Sequence, residues 1–544
     1  MPPLDRRTFL RTATAATAAG VIAPATTSEA LAQVLPGETR RRTRRSYRRR
    51  AADCYRVRVD AARTARRGNL PVLVPTANGE EAEFADRRWS YAKGLPHDAS
   101  GLVVPSAYDA LLAAVASGRP EDFARIPLGG TRRLTSPQAG LAFDLEGPDA
   151  FGVAVRPAPR ADSAELAAEA AELYWLALAR DVPFADWPSD PLVAAAAADL
   201  SALSDYRGPR SGDGRVTPAT VFRGNARGDL IGPFVSQLLW LPVPMGSLTI
   251  DQRQRTLLPG TDFLTAWDAW LAVQSGAEPT ATVDDPTPRW IRSLRDLAAY
   301  VHADALYQAY LNACLILLRL GAPLAAGLPP ARSPNQAGFV EWGGPHVLGL
   351  LAEVSTRALK CVWAQKWLVH RRCRPEEFGG RLHARLAAGA AYDVHPELLA
   401  SDALERTAAR FGGWLLPQAF PEGSPTHPSY GAGHATVAGA CATVLKAFFD
   451  PSWVLPDPVV ASADGLALLP WTGPELTVGD EVDKLAANIA IARDAAGVHW
   501  RTDYAESHLL GEAVALAILR QQKACHNEPF TMTVRRFDGS VVTI

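Results

Sequence analysis

Helical periodicity dominates the pattern of apolar and polar positions. Apolar residues recur at three- and four-residue spacing across Ser163–Ala179, Pro191–Leu203, Ser293–Leu320, Pro345–Lys366 and Val482–Arg493. That spacing predicts helices that bury one face. Period-two alternation is rare. It is clearest in Phe530–Ile544, where Asp538-Gly539 predicts a small hairpin. The expected fold is all-α (mainly α), with a minor C-terminal β hairpin. Leu230–Ile250 carries no charge for 21 residues, but Pro233, Ser236, Gln237, Pro242 and Pro244 interrupt it. It predicts a buried helix followed by a loop, not a membrane span.

Four prolines and three glycines fall in Gly321–Gly338, and such breakers mark a boundary. The expected organisation is an N-terminal helical domain over 33–325 and a C-terminal helical domain over 326–544. Asp450–Leu476, also proline-rich, predicts a surface excursion between helices. Of 544 residues, 48% are hydrophobic and 21% charged, a globular balance that excludes a disordered or fibrous chain. The 56 basic residues against 57 acidic ones give a net charge of −1. That excludes a broad polyanion surface, so no nucleic-acid partner is expected, and any anion site must be built locally. The six cysteines have no CxxC or metal spacing and read as buried free thiols.

Residues 5–11 read Asp-Arg-Arg-Thr-Phe-Leu-Arg. A bland Ala/Thr-rich stretch follows, and then Ala30-Leu31-Ala32. Residues 1–32 resemble a twin-arginine export signal. The resemblance implies a mature chain from about Gln33, located in the periplasm or outside the cell. Arg40–Arg50 holds eight arginines in eleven residues. It reads either as a basic arm for a neighbouring subunit or as the solvated start of the first helix.

Three segments carry chemistry. In Lys366–Pro375 a helix must end before the proline. On a continuous helix Lys366 and Arg374 would lie two turns apart and about 80° round the axis, so the pair reads either as a basic helix end or as two converging cations. Arg371 and Arg372 read as a solvated face. Pro425–His434 ends in Tyr430-Gly431-Ala432-Gly433-His434, ahead of a helix whose buried stripe is Val437, Ala438, Cys441, Val444, Leu445 and Phe448. Glycines expose N–H groups, and a helix N-terminus attracts anions. His427 sits in the same loop and could instead bridge loop backbone. In Arg493–Asp503, Arg493 and His499 would face apart on one helix, but Gly497 can fold the chain back. Asp503 can orient the His499 imidazole, cap the next helix, or do both. Arg501 and His508 read as surface residues. Gathering Lys366, Arg374 and Arg493 in one pocket makes sense only around a multiply charged tetrahedral oxyanion.

In this order and spacing, the three segments resemble the superfamily of type 2 phosphatidic acid phosphatases, bacterial acid phosphatases and vanadium-dependent haloperoxidases. The seven residues between Lys366 and Arg374, together with His427, resemble the bromoperoxidase type of haloperoxidase. Lys93-Gly-Leu-Pro-His97, Phe222-Arg-Gly224, Gly228-Asp229 and Ser236-Gln237 extend the likeness from about Arg40 to Arg520. The resemblance implies helical bundles and an enzyme that oxidises halide, bromide first, with hydrogen peroxide to hypohalous acid, which halogenates a small organic acceptor. It implies a vanadate cofactor, with His499 as the vanadium ligand and Lys366, Arg374, Arg493 and the Gly433 N–H on its oxygens. His434 would be the acid/base group, His427 would tune the halide and peroxide site, and Asp503 would support His499. It also implies a homo-oligomer. A calcium site is possible in principle, but no calcium loop is recognisable. The chain departs from the family's Ser-Gly-His step at Ala432. Two further readings share the pocket: a soluble acid phosphatase or phosphoesterase with His499 as nucleophile, and a non-catalytic oxyanion binder.

Overall fold

In the computed structural model, residues 37–68, 77–526 and 528–544 are described. The export-signal segment 1–32 lies outside them. The chain divides into two compact units, Met1–Arg67 and Gly68–Ile544. In the first, helix α1 (Gly37–Gly68) includes the arginine run. The boundary expected at 325/326 falls inside the second unit, whose main core draws on residues from Trp89 to Ile544.

The helices of the second unit that build the site and its surroundings are α2 (Ala164–Leu178), α3 (Gln308–Leu320), α4 (Gly344–Ala364), α5 (Pro375–Ala388), α6 (Gly433–Phe448), α7 (Val478–Ala495) and α8 (Arg501–Lys523). Helix α6 is the axis of the bundle. From Ala435 to Phe448 every residue is buried, because α3, α4, α7 and α8 pack around it. The predicted one-sided stripe is therefore too narrow. Small residues allow the closest crossing: a Cβ added at Gly511 of α8 would stand 1.9 Å from the Thr436 carbonyl oxygen of α6, so only glycine fits there.

Among the described residues the strands form three two-stranded antiparallel hairpins: Val243–Met245 with Leu248–Ile250, Val459–Ala461 with Leu468–Pro470, and Thr533–Arg535 with Val541–Thr543. The last is the expected C-terminal hairpin. The first corrects the reading of Leu230–Ile250 as a helix: its prolines leave only short 3₁₀ turns before the strands. Ser293–Leu320 is likewise two helices, Leu294–Tyr300 and α3, with a break at 301–307. Among the described residues no helix is long and apolar enough to cross a membrane. All six cysteines are free. Four are buried, but Cys54 and Cys525 are exposed, which corrects the expectation of six buried thiols.

Segments of the first half hold the site-bearing helices in place. Lys93 is buried and pairs with Glu376 at 2.6 Å, while Glu377 accepts from the Ala92 and Lys93 N–H groups. These contacts fix the start of α5. Ser236 and Gln237 bond Asn488 and Glu481 of α7.

Candidate functional site

Lys366 and Arg374 converge because their helix does not continue. After α4 the chain makes a π-helical turn over Gln365–His370. Arg371 then takes φ +36°, and α5 restarts at Pro375. This break removes the 80° offset expected on a continuous helix. Lys366 is fully buried and donates to the carbonyl oxygens of Pro428 and Ser429 at 2.8 and 2.9 Å. Arg374, equally buried, donates to the Val498 carbonyl at 2.7 Å, to His499 Nε2 at 2.9 Å and to His427 Nδ1 at 2.8 Å.

Gly497 does what its position predicts. It takes φ +83°, and a Cβ there would press on Gln418 Nε2 at 2.6 Å. Helix α7 ends, the chain reverses, and Arg493 and His499 face one space. Arg493 donates to the Val301 carbonyl at 2.8 Å, and its Nε is buried without a partner. His499 Nδ1 bonds Asp503 Oδ2 at 2.8 Å. An arginine can only donate, so the contact from Arg374 marks Nε2 as the bare ring nitrogen and Nδ1 as the protonated one. His427 Nδ1 meets both Arg374 Nη2, at 2.8 Å, and the Pro428 carbonyl oxygen, at 3.2 Å. Asp503 also accepts from the Trp500 N–H at 3.1 Å. It therefore both orients His499 and caps α8, as the third residue of the helix and not as its N-cap.

The electrostatics are unusual. Burial first, then Arg374 and Arg493, push the Lys366 ammonium well below its ordinary range. Burial pushes Arg374 and Arg493 down to about 10. His427 and His499 are held well below 6.5 by burial and by the same cations. Elsewhere, the buried cations Lys93, Lys446 and Lys484 each meet a carboxylate, while the buried Arg381 lies over the Trp270 ring without one. Among the described residues Lys366, Arg374 and Arg493 meet none within ion-pair distance. Unpaired buried charge is costly. Three such cations beside the N-terminus of α6 form a site whose chemistry fits a multiply charged oxyanion.

The structure adds residues that sequence reasoning missed. Asp304, from the break at 301–307, bonds His434 Nε2 at 3.0 Å. Ser507 accepts from the Ala432 N–H at 2.8 Å and steadies the glycine loop. Arg371 and Arg372, read as a solvated face, are buried: Arg371 pairs with Glu81, and Arg372 with Glu169 and Asp503. Arg501 and His508, read as surface residues, are also buried, and Arg501 pairs with Glu172. Each of these partners lies far away in sequence.

Burial lowers the His434 pKa, and the bond to Asp304 opposes that shift. Asp304→Asn removes the negative charge of that partner, so protonated His434 loses its counter-ion. In the cofactor-free protein its titration, followed by NMR, should move to lower pH. An unchanged or higher midpoint would contradict the pairing.

Residues 405–528 match the family model described as the VCPO second helical-bundle domain. Vanadium-dependent bromoperoxidase from Corallina officinalis is 38% identical over 91% of this chain and 98% of its own length. The vanadium-dependent bromoperoxidase from Ascophyllum nodosum is 36% identical over 90% and 92%. The homohexameric structure of a second vanadate-dependent bromoperoxidase from Ascophyllum nodosum superposes with a TM-score of 0.86. That match has 30% identity and covers 91% of this chain and 90% of that one.

Proposed function

Because the chain belongs to the vanadium-dependent bromoperoxidase family, it is a vanadate-dependent haloperoxidase, and we propose that the three unpaired cations and His499 hold its vanadate. The unpaired cations carry the assignment. Lys366, Arg374 and Arg493 supply positive charge to the oxygens, joined by the Gly433 N–H at the start of α6. His499 offers its bare Nε2 as the ligand; Asp503 keeps the proton on Nδ1. Vanadate, when bound, supplies a Lewis-acidic centre that activates hydrogen peroxide toward halide without changing its own oxidation state.

The chain's other groups manage protons and access. His434 donates Nε2–H to Asp304, which leaves Nδ1 to exchange protons with bound oxygens. His427, packed against the Trp363 ring at 4.8 Å, is the group assigned to the peroxide and halide side. Bromide is the proposed halide, and a small organic acceptor takes up the oxidised halogen. The phosphatase reading is not favoured beside relatives of 36–38% identity named bromoperoxidases. One paired assay tests the choice: bromination of an activated carbon acid with vanadate and peroxide, beside aryl phosphate hydrolysis without vanadate. Bromination is expected; hydrolysis alone would overturn the proposal.

Export by the twin-arginine route to the periplasm or beyond is part of the same proposal, as is a homo-oligomer. One relative is a homohexamer, and mass in solution tests the assembly.

Ala432 is the N-cap of α6 and provides no side-chain cap. A serine hydroxyl there has two possible partners: the free N–H groups of the first turn, worth about 0.5–2 kcal/mol, or the oxyanion, worth about 1.5–3 kcal/mol. Ala432→Ser is expected to tighten vanadate retention about tenfold or more in equilibrium dialysis. A rise in thermal stability with equal or weaker retention would assign the hydroxyl to the helix instead.

A further inference from the structure

Arg372 belongs to the first chemical segment, yet no role follows from its place in the sequence. Its guanidinium is buried, and it lies over the Trp500 ring at 4.9 Å. Nη1 donates to Asp503 Oδ1 at 2.9 Å and Nη2 donates to Glu169 Oε2 at 2.9 Å. The two oxygens of Asp503 therefore have separate tasks. Oδ1 faces Arg372, while Oδ2 accepts from His499 Nδ1, the Trp500 N–H and the Ser429 hydroxyl. Arg372 also gives its own carbonyl to the Ser429 N–H at 3.1 Å. One residue thus ties together all three chemical segments. Glu169, from α2 in the first half of the chain, anchors it from behind and also accepts from Thr502.

We propose that Arg372, anchored by Glu169, is a positioning residue that acts through Asp503 to fix the orientation and tautomer of His499. This rests on the reading of His499 as the oxyanion-holding nitrogen. The carboxylate that orients His499 is itself oriented. Without the guanidinium, Asp503 loses the contact on Oδ1 that stops it rotating about its side chain. The proton on Nδ1 then loses its fixed acceptor, and Nε2 is no longer reserved as a lone pair.

The fold supplies its own control. Arg501 and Glu172 make a second buried pair between α8 and α2, at 2.6 Å from Nε. That pair does not touch Asp503. If Arg372 only staples α2 to α8, the two pairs should behave alike.

The experiment uses the full chain, freed of cofactor, as Arg372→Met, Arg372→Lys, Glu169→Gln and Arg501→Met. Three quantities are measured: vanadate affinity by equilibrium dialysis, the ¹⁵N imidazole shifts of His499, and thermal stability. Arg372→Met is expected to weaken vanadate binding by about 10- to 100-fold and to turn the single His499 tautomer into a mixture. Arg372→Lys should restore part of both, and Glu169→Gln should show the same defects more mildly. Arg501→Met should lower stability while leaving affinity and tautomer unchanged. Native affinity and tautomer in folded Arg372→Met, or equal losses in Arg501→Met, would overturn the proposal. If Arg372→Met does not fold, Arg372→Lys and Glu169→Gln decide by the same two readouts. A wild-type chain that binds no vanadate, with His499 still responding to Arg372, would instead refute the cofactor assignment.

Discussion

His499→Ala should lose vanadate and bromination together. The side chain supplies a bare ring nitrogen beside the three cations: Arg374 contacts Nε2 at 2.9 Å, and Asp503 holds the proton on the other side. Removing it leaves the cations in place, so a weak electrostatic affinity for oxyanions should survive. The loss should exceed the roughly 10- to 100-fold cost of deleting a contact that only supports a ligand. Free imidazole should restore part of the retention by filling the space. Bromination that persists in His499→Ala would remove the role assigned to this residue.

His434→Ala should separate binding from turnover. His434 opens α6, and its Nε2 is engaged by Asp304. It is not one of the unpaired cations, so vanadate retention should change far less than in His499→Ala. Positioned acid–base groups contribute about 10²- to 10⁴-fold in rate, and halide oxidation should fall by that order while vanadate stays bound. Loss of vanadate equal to that in His499→Ala would make His434 a binding group instead.

The helices and the three chemical segments were legible in the sequence because both are local. Apolar spacing located α2, α4 and α7 to within a few residues, and Gly497 alone announced the reversal that turns Arg493 and His499 together. What escaped was set by distant partners. No glycine or proline marks the break at 301–307, so a single helix was expected where the chain in fact delivers Asp304 to His434. Arg371, Arg372 and Arg501 looked like solvent-facing charge because their carboxylates, Glu81, Glu169 and Glu172, lie hundreds of residues earlier. Burial made each pair necessary, and spacing could not reveal it. The convergence of Lys366 and Arg374 was hidden for a related reason. It depends on a π-helical turn and a left-handed Arg371, a backbone state that arginine seldom adopts and that no motif announces.

The central claim is that Lys366, Arg374 and Arg493 are left unpaired so that one oxyanion can complete them. Equilibrium dialysis of the cofactor-free chain against vanadate, with elemental analysis, tests this most directly. The account predicts saturable binding of one vanadate per chain, competed by phosphate and lost in Arg374→Met. Absent or non-saturable binding, or unchanged binding in a folded Arg374→Met, would contradict it.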